Sequence, residues 1–289
     1  MTQTVGGHGR DIPFSDSDFR AISDLAQAEF GLNLAESKKP LVYSRLSKRL
    51  KARELDSFPD YLALLKRSEE NNERLELISA LTTNVTSFFR ENHHFEMLRD
   101  HGFPSMFDRL KESGRGRIWS AGCSSGQEPY SIAMTLLNKM PDAARRNVKI
   151  LATDIDPKII ARARQGIYPK EEATGISELF QKNFTHKTEH NELGMSDNLR
   201  EIITFAELNL MSDWPFNGPF DAIFCRNVAI YFNQETQQRL WSRFCEMLVP
   251  GGFLFIGHSE RVTGAATREL TGVGITSYRK TGSGSRLAS

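Results

Sequence analysis

The hydrophobic period of this chain changes near Gly114, and that change limits its fold more than any other feature. Up to about Arg90, apolar residues recur at helical spacing. Ser15 or Asp16 can cap a helix that carries Phe19, Ile22, Leu25 and Ala26 on one face. Pro40 suits the first turn of a helix over Leu41 to Arg53, and Phe58 to Lys66 and Glu73 to Leu81 follow. Beyond Gly114, short apolar runs alternate with helical segments. Arg117 to Ala121, Val148 to Thr153, Ile203 to Leu208, Phe220 to Cys225 and Phe253 to Gly257 read as strands. Pro129 to Met140, Pro157 to Arg164 and Gln234 to Leu248 read as helices. Such alternation implies an α/β domain with a doubly wound, mostly parallel sheet and right-handed crossovers, preceded by a small helical bundle. The expected division is 14–90 for the helical domain and 91–285 for the α/β domain. A polar insert over about 166–203 is too long for a plain loop and is predicted to form a small subdomain.

Several classes are excluded early. The chain has 289 residues, 39% of them hydrophobic and 25% charged, with a formal net charge of +1. That is globular composition in a chain long enough for one large or two modest domains, and not a uniformly basic nucleic-acid binder. No apolar run approaches the roughly 18 residues that span a bilayer. Met1 to Pro13 lacks the apolar core of a signal peptide, so a cytoplasmic location is expected. That stretch and the Gly/Ser-rich tail Thr281 to Ser289 read as mobile ends. Cys123, Cys225 and Cys245 are few and odd in number, which suits a reducing compartment. No spacing suggests a metal. His93 and His94 are adjacent, so their rings are expected to diverge on a helix, and no metal ligand is assigned.

The most informative stretch is Trp119-Ser-Ala-Gly-Cys-Ser-Ser-Gly-Gln-Glu-Pro-Tyr130. A strand runs into Gly122, a turn of small residues follows, and Gly126 opens a helix. Glycine lets the backbone approach a ligand closely. The spacing is not the Gly-x-Gly-x-x-Gly that cradles a pyrophosphate, and the Lys-Ser/Thr end of a P-loop is missing. A nucleoside without a pyrophosphate, such as S-adenosylmethionine, therefore fits better. Glu128 can meet its cationic ammonium or simply complement the helix dipole. Asp154 ends the next strand, at the edge where α/β folds bind ligands, and can accept from both ribose hydroxyls or cap a helix; Asp156 serves as that cap equally well. Asn209 can address the adenine edge or make a turn. Arg226 and Asn227 follow the strand Asp221 to Cys225 at the same edge.

Several blocks in this order resemble the chemotaxis receptor methyltransferases, the CheR family. They are Thr82-Thr-Asn-Val-Thr-Ser-Phe-Phe-Arg90, Ser120 to Ser131, Ala152-Thr-Asp-Ile-Asp156, Phe224-Cys-Arg-Asn-Val-Ala-Ile-Tyr-Phe232 and Gly257-His-Ser-Glu260. The resemblance runs from about Phe14 to Arg279. It implies a class I methyltransferase-like sheet and an S-adenosylmethionine-dependent protein-glutamate O-methyltransferase. Such an enzyme esterifies glutamates on chemoreceptor signalling helices for sensory adaptation and releases S-adenosylhomocysteine, an expected product inhibitor. Carried over by motif, Asn84, Thr86, Arg90, Gly122, Glu128, Asp154, Asn209, Leu210, Arg226 and Asn227 would bind the cofactor. Tyr231, with Arg90, would face the methyl-transfer site. Arg45 and its basic neighbours Lys48, Arg49 and Lys51 would meet the receptor. Gln127 stands where many relatives have a second acid. In part of the family the inserted region forms a β-subdomain that docks on a peptide at the receptor C-terminus; the insert here matches that region poorly. The partners implied are methyl-accepting receptors in membrane arrays, without nucleic acid and without membrane insertion.

The chemistry needs no general base, because a glutamate with pKa near ~4.3 is ionised at neutral pH. The task is to desolvate and align it, and such positioning can be worth roughly 7–11 kcal/mol. Charge patterning supplies a partner. Residues 37–53 hold seven basic side chains and no acid, while residues 1–90 balance at 13 of each sign. Arg45, Lys48 and Arg49 share one helical face beside the apolar seam of Val42, Leu46 and Leu50. An acidic receptor helix is one occupant of that face; solvent or nucleic acid is another. A nucleic-acid methyltransferase remains a rival, although Cys225-Arg-Asn-Val lacks the proline-rich turn usual after the fourth strand of base N-methyltransferases. A non-enzymatic S-adenosylmethionine sensor is a second.

Overall fold

The computed structural model describes residues 12–67, 70–82 and 84–281. The terminal segments read as mobile lie almost wholly outside these ranges, as does Thr83 of the Thr-Thr-Asn motif. The described residues fall into two compact units, divided at 83/84.

The first unit is all helical. α1 (Asp16–Phe30) starts at a reciprocal cap, in which Ser15 Oγ accepts from Asp18 N at 3.1 Å and Asp18 Oδ2 accepts from Ser15 N at 2.9 Å. It stops at Gly31, whose φ of 72° suits only a residue free of a Cβ penalty. Its buried side is Phe19, Ile22, Ala26 and Phe30; Leu25 is only half-buried and lies at the flank of the stripe. α2 (Lys39–Ala52) has Pro40 in its first turn and buries Val42, Leu46 and Leu50. α3 (Phe58–Leu65) is capped by Ser57 and buries Phe58, Tyr61 and Leu65 completely. α4 (Asn71–Leu81) contributes Leu77 and Ile78. Phe14 stacks on Phe58 at 4.3 Å and closes one end of this core.

The second unit opens with two helices that the sequence pattern did not reveal. α5 (His93–Met97) passes through a π-helical turn at Leu98–Gly102 into α6 (Phe103–Ser113). The π turn shifts the apolar register, and Arg99-Asp100-His101 interrupt it. Five parallel strands then form the sheet: β1 (Gly116–Ala121), β2 (Val148–Asp154), β6 (Ile203–Glu207), β7 (Phe220–Cys225) and β8 (Leu248–Ile256). A C-terminal hairpin of β9 (Leu270–Gly274) and β10 (Ser277–Lys280) completes it, with β10 antiparallel to β8. The order is β6-β2-β1-β7-β8-β10-β9. Chain order therefore reverses between β1 and β7, which opens a crevice at their carboxyl ends. The helices α7 (Gln127–Lys139), α8 (Pro157–Gln165) and α11 (Gln234–Met247) complete the crossovers. β8 begins ahead of the expected Phe253 and carries Pro250-Gly251-Gly252 within it; its pairing with β7 shifts register there.

The insert folds as a three-stranded antiparallel sheet in the order β3 (Ile167–Tyr168), β5 (Leu193–Met195), β4 (Thr185–Lys187), with α9 (Glu178–Phe184) and α10 (Asp197–Ile202). Among the described residues no helix is long and apolar enough to cross a membrane. All three cysteines are free and buried.

Candidate active site

The crevice is built on the turn after β1. The amides of Gly122 and Cys123 both donate to Thr153 O at 2.8 Å, which ties the turn to the end of β2. Gly122 has φ +84°, and a Cβ there would run into Val228. Gly126, with φ +99°, caps α7. Asp154 closes β2 and is 9% exposed. Its Oδ2 accepts from Ser124 N at 2.8 Å and its Oδ1 from Asp156 N at 3.2 Å. Burial raises its pKa above the usual carboxylate value, against the pull of these amides. Asp156 is the cap of α8, accepting from Lys158 N and Ile159 N, so Asp154 is left without that duty.

Glu128 sits in the first turn of α7, also 9% exposed. Ser120 Oγ donates to its Oε1 at 2.7 Å and Arg226 Nη1 to its Oε2 at 3.1 Å. Burial pushes its pKa up, and the Arg226 charge opposes that shift. Arg226, 7% exposed, also donates to the carbonyl of Arg90 and stacks over the Phe95 ring. It therefore fastens the segment Asn84 to Glu91 to the end of β7. Ser124 Oγ donates to Asn84 O at 3.3 Å, and Phe89 N to Ser131 Oγ at 3.0 Å. Phe88 packs edge-on against Tyr168 at 5.0 Å. These anchors make the segment part of the second unit, ahead of the boundary expected at 90. Arg90 itself is half-buried and donates to Val85 O at 3.0 Å. Thr86 is half-buried in the same stretch.

After Arg226, Asn227 takes φ +59° and Tyr231 ends a short 3-10 turn, half-buried. This loop is held by a residue to which the sequence assigned no role. Glu260 is 3% exposed and accepts from Gly257 N at 2.5 Å, Asn227 N at 3.2 Å and Ile230 N at 3.1 Å. The signal was present, since Glu260 closes the Gly257-His-Ser-Glu260 motif. Tyr168 OH donates to Ser125 O at 2.7 Å and links the insert to the glycine turn. Gln127 accepts from Ser125 Oγ and donates to Glu172 at 2.9 Å; a second acid there would face a carboxylate. Asn209 Oδ1 accepts from Met211 N at 2.9 Å, a local turn, and Leu210 is buried beside it.

The donor set fits a cationic nucleoside better than a pyrophosphate. Two buried carboxylates face the crevice edge, whereas both nearby guanidiniums, Arg90 and Arg226, are engaged by protein carbonyls and Glu128.

One sequence reading is corrected. The His93 and His94 rings do not diverge: their centroids lie 4.2 Å apart, tilted by 55°, in the first turn of α5, where no preceding helical turn restricts their rotamers. His94 is fully buried, and that burial, with Arg226 nearby, lowers its pKa to about 3. The basic face of α2 is also partly spent inside its own unit. Arg49 pairs with Glu73 at 2.8 Å and Glu76 at 3.1 Å, and Arg45 Nη1 donates to Ala80 O and Thr82 O at the end of α4. Lys48 and Lys51 remain exposed.

A parallel sheet that reverses beside a glycine turn, with one acid at the end of β2, another in the first turn of α7 and an antiparallel hairpin at its edge, has the architecture of the S-adenosylmethionine-dependent methyltransferases. Comparison with known proteins agrees. Residues 84–278 match the family model "CheR methyltransferase, SAM binding domain", and residues 17–82 match "CheR methyltransferase, all-alpha domain". A probable chemotaxis protein methyltransferase of Rhizobium etli is 49% identical over 263 residues, covering 90% of this chain and 98% of that protein. The chemotaxis protein methyltransferase of Escherichia coli K12 is 44% identical, covering 86% of each chain. That of Borreliella burgdorferi is 38% identical, covering 88% of this chain and 91% of its own length. The chain belongs to the CheR family of chemotaxis protein methyltransferases.

Proposed function

We propose that this chain transfers a methyl group from S-adenosylmethionine to glutamate carboxylates on the cytoplasmic helices of chemoreceptors, forming methyl esters. The observation that carries the reading is the cluster at the carboxyl edge of the sheet: buried Asp154 and Glu128, with Arg226 pairing Glu128 and holding the carbonyl of Arg90. The cofactor supplies an electrophilic methyl on a sulfonium. Asp154 would hold the ribose hydroxyls while the Ser124 amide fixes its orientation. Glu128, steered by Ser120 and Arg226, would face the ammonium. Asn84, Thr86, Gly122, Asn209, Leu210, Arg226 and Asn227 would complete the pocket. Arg90 and the Tyr231 hydroxyl would orient the attacking carboxylate oxygen, with no proton to remove from it. A glancing Arg90 contact suits this role, since a full clamp would damp the nucleophile.

The receptor would be met by Lys48 and Lys51 on α2, with Arg45 and Arg49 shaping that surface from behind. β4 lies at an edge of the insert's sheet, an arrangement that supports strand addition by an extended receptor peptide. Through either contact the enzyme would be recruited to receptor arrays. The test is a transfer assay with methyl-labelled cofactor, receptor-rich membranes and, separately, nucleic acid. Label in receptor that alkali releases as methanol is expected, since esters hydrolyse and N-methyl groups do not. Alkali-stable label, or label in nucleic acid, would overturn the reading.

A further inference from the structure

The cluster at the start of α5 serves no step described above. Glu91, His93 and His94 each offer one ligand atom, and the three atoms lie within 4.8 Å of one another. His94 Nε2 lies 2.9 Å from Thr276 Oγ1 and 3.3 Å from Ile275 O. Facing a carbonyl, that nitrogen carries the proton, so Nδ1 presents a bare lone pair. Nδ1 points at Glu91 Oε2 across 3.7 Å. Two acceptors face each other there with no donor between them. Glu91 Oε2, His93 Nε2 and His94 Nδ1 are all buried and all without a hydrogen-bond partner. Buried polar atoms are rarely left so; Arg226 Nη2 approaches only the Glu91 oxygen, at 3.6 Å and beyond hydrogen-bond reach, and no donor serves the two imidazole nitrogens. The His94 ring is also fixed from behind as metal-bound imidazoles are, through its other nitrogen on a backbone carbonyl.

We propose that Glu91, His93 and His94 form a binding site for a first-row divalent transition metal of the zinc class. Two imidazoles and a carboxylate suit zinc, and disfavour magnesium and calcium, which take oxygen ligands. Tetrahedral zinc with bonds of about 2.0–2.1 Å needs ligand atoms roughly 3.4 Å apart, which side-chain rotation can reach from the present spacing. His258 Nδ1, on an exposed ring 3.3 Å from Glu91 Oε1, is placed to be a fourth ligand. Arg226 Nη2 lies 3.6 Å from Glu91 Oε2 and weakens the site by competing for that oxygen. The role is structural. The metal fixes the start of α5 just after Arg90, where the His94 ring already rests through Nε2 on the turn between β9 and β10, and methyl transfer to an ionised carboxylate asks nothing of it.

The full chain, stripped with chelator, is titrated with zinc by calorimetry and with cobalt by visible absorption. One equivalent should bind, with the intense visible bands of tetrahedral cobalt. At a hundredfold excess over Kd the unfolding midpoint should rise by roughly 5–10 °C. Glu91→Gln and His93→Gln should each weaken binding by about 10-fold or more. His186→Gln, at an exposed histidine away from the cluster, should not. Glu91→Gln keeps the shape of the site, and an apo melting midpoint matching the parent shows that it folds. If it also binds zinc as the parent does, or if the parent binds none, the proposal is wrong.

Discussion

Asp154 and Glu128 carry a pH dependence whose sign follows from their surroundings. Burial raises both pKa values above the ordinary carboxylate range near ~4. The ionised forms accept from both ribose hydroxyls and attract an ammonium, whereas protonation removes the charge and halves the acceptor capacity. Cofactor affinity should therefore fall as pH drops through the raised values. Folding stability moves the other way. The native state holds these protons more tightly than the unfolded chain, so both sites favour folding below the unfolded pKa and lose that contribution as pH rises through the raised one. Calorimetric Kd against pH checks the first sign and melting of the apo protein the second. Asp154→Ala should weaken the cofactor by roughly 10–100-fold, the worth of hydrogen bonds to a charged group, and flatten the pH profile. Unchanged affinity would remove Asp154 from the ribose. Tyr231→Phe tests the transfer step. It should leave cofactor Kd as it was and lower turnover at saturating receptor; equal turnover would exclude the hydroxyl from the transfer step. Glu260 acts on the same loop from behind. Glu260→Ala frees three backbone amides, that of Asn227 among them, so kcat should fall, cofactor Kd should rise, and the melting midpoint should fall too.

Among the elements, those that follow one rule from end to end were legible. α1 has its cap, its apolar stripe and its glycine stop in the sequence, and β1, β2 and β7 are short apolar runs ended by Gly122, Asp154 and Arg226. Legibility failed where a tertiary partner supplied what local pattern lacked. α5 and α6 are joined through a π turn that shifts the period. β9 buries only Leu270 and is held by pairing with β10 rather than by its own apolar residues. The candidate site divides in the same way. Gly122, Asp154 and Arg226 stand at strand ends and can be found there, but the pairing of Arg226 with Glu128 joins residues 98 apart. The helix α2 shows the cost of reading charge without partners. Arg49 was read as docking surface; it also pairs with Glu73, which is 2% exposed and accepts from Tyr61 OH at 2.9 Å. Arg49→Ala should cost about 1–3 kcal/mol of stability in the helical unit, because Tyr61 and Arg53 remain to share the stranded carboxylate. Denaturant titration followed by helical circular dichroism reads that cost; a loss confined to receptor affinity would restore Arg49 to the surface.

At the scale of the whole molecule, a net charge of +1 gives no long-range field to draw in an acidic partner. Any steering must come from a local patch, and internal pairing removes Arg49 from it, as it does Arg53 through Glu70 and Lys39 through Asp16. Lys48 and Lys51, exposed on α2, with exposed Lys38 just ahead of it, set the encounter with a negative helix. Exposed charges are screened over about 10 Å at 0.1 M salt, so their effect should fade steeply as salt is added. Lys48→Glu with Lys51→Glu should raise the receptor KM by about 10-fold at low salt, and the gap between variant and parent should close at 0.5 M salt. Turnover at saturating receptor and cofactor Kd should not move, since neither lysine belongs to the crevice. The same double variant tests the competing partner. If nucleic acid were the substrate, the parent would bind it with a steep salt slope that two charge reversals flatten. A receptor KM indifferent to both salt and charge reversal would show that α2 is a solvated face and that recognition lies elsewhere on the molecule.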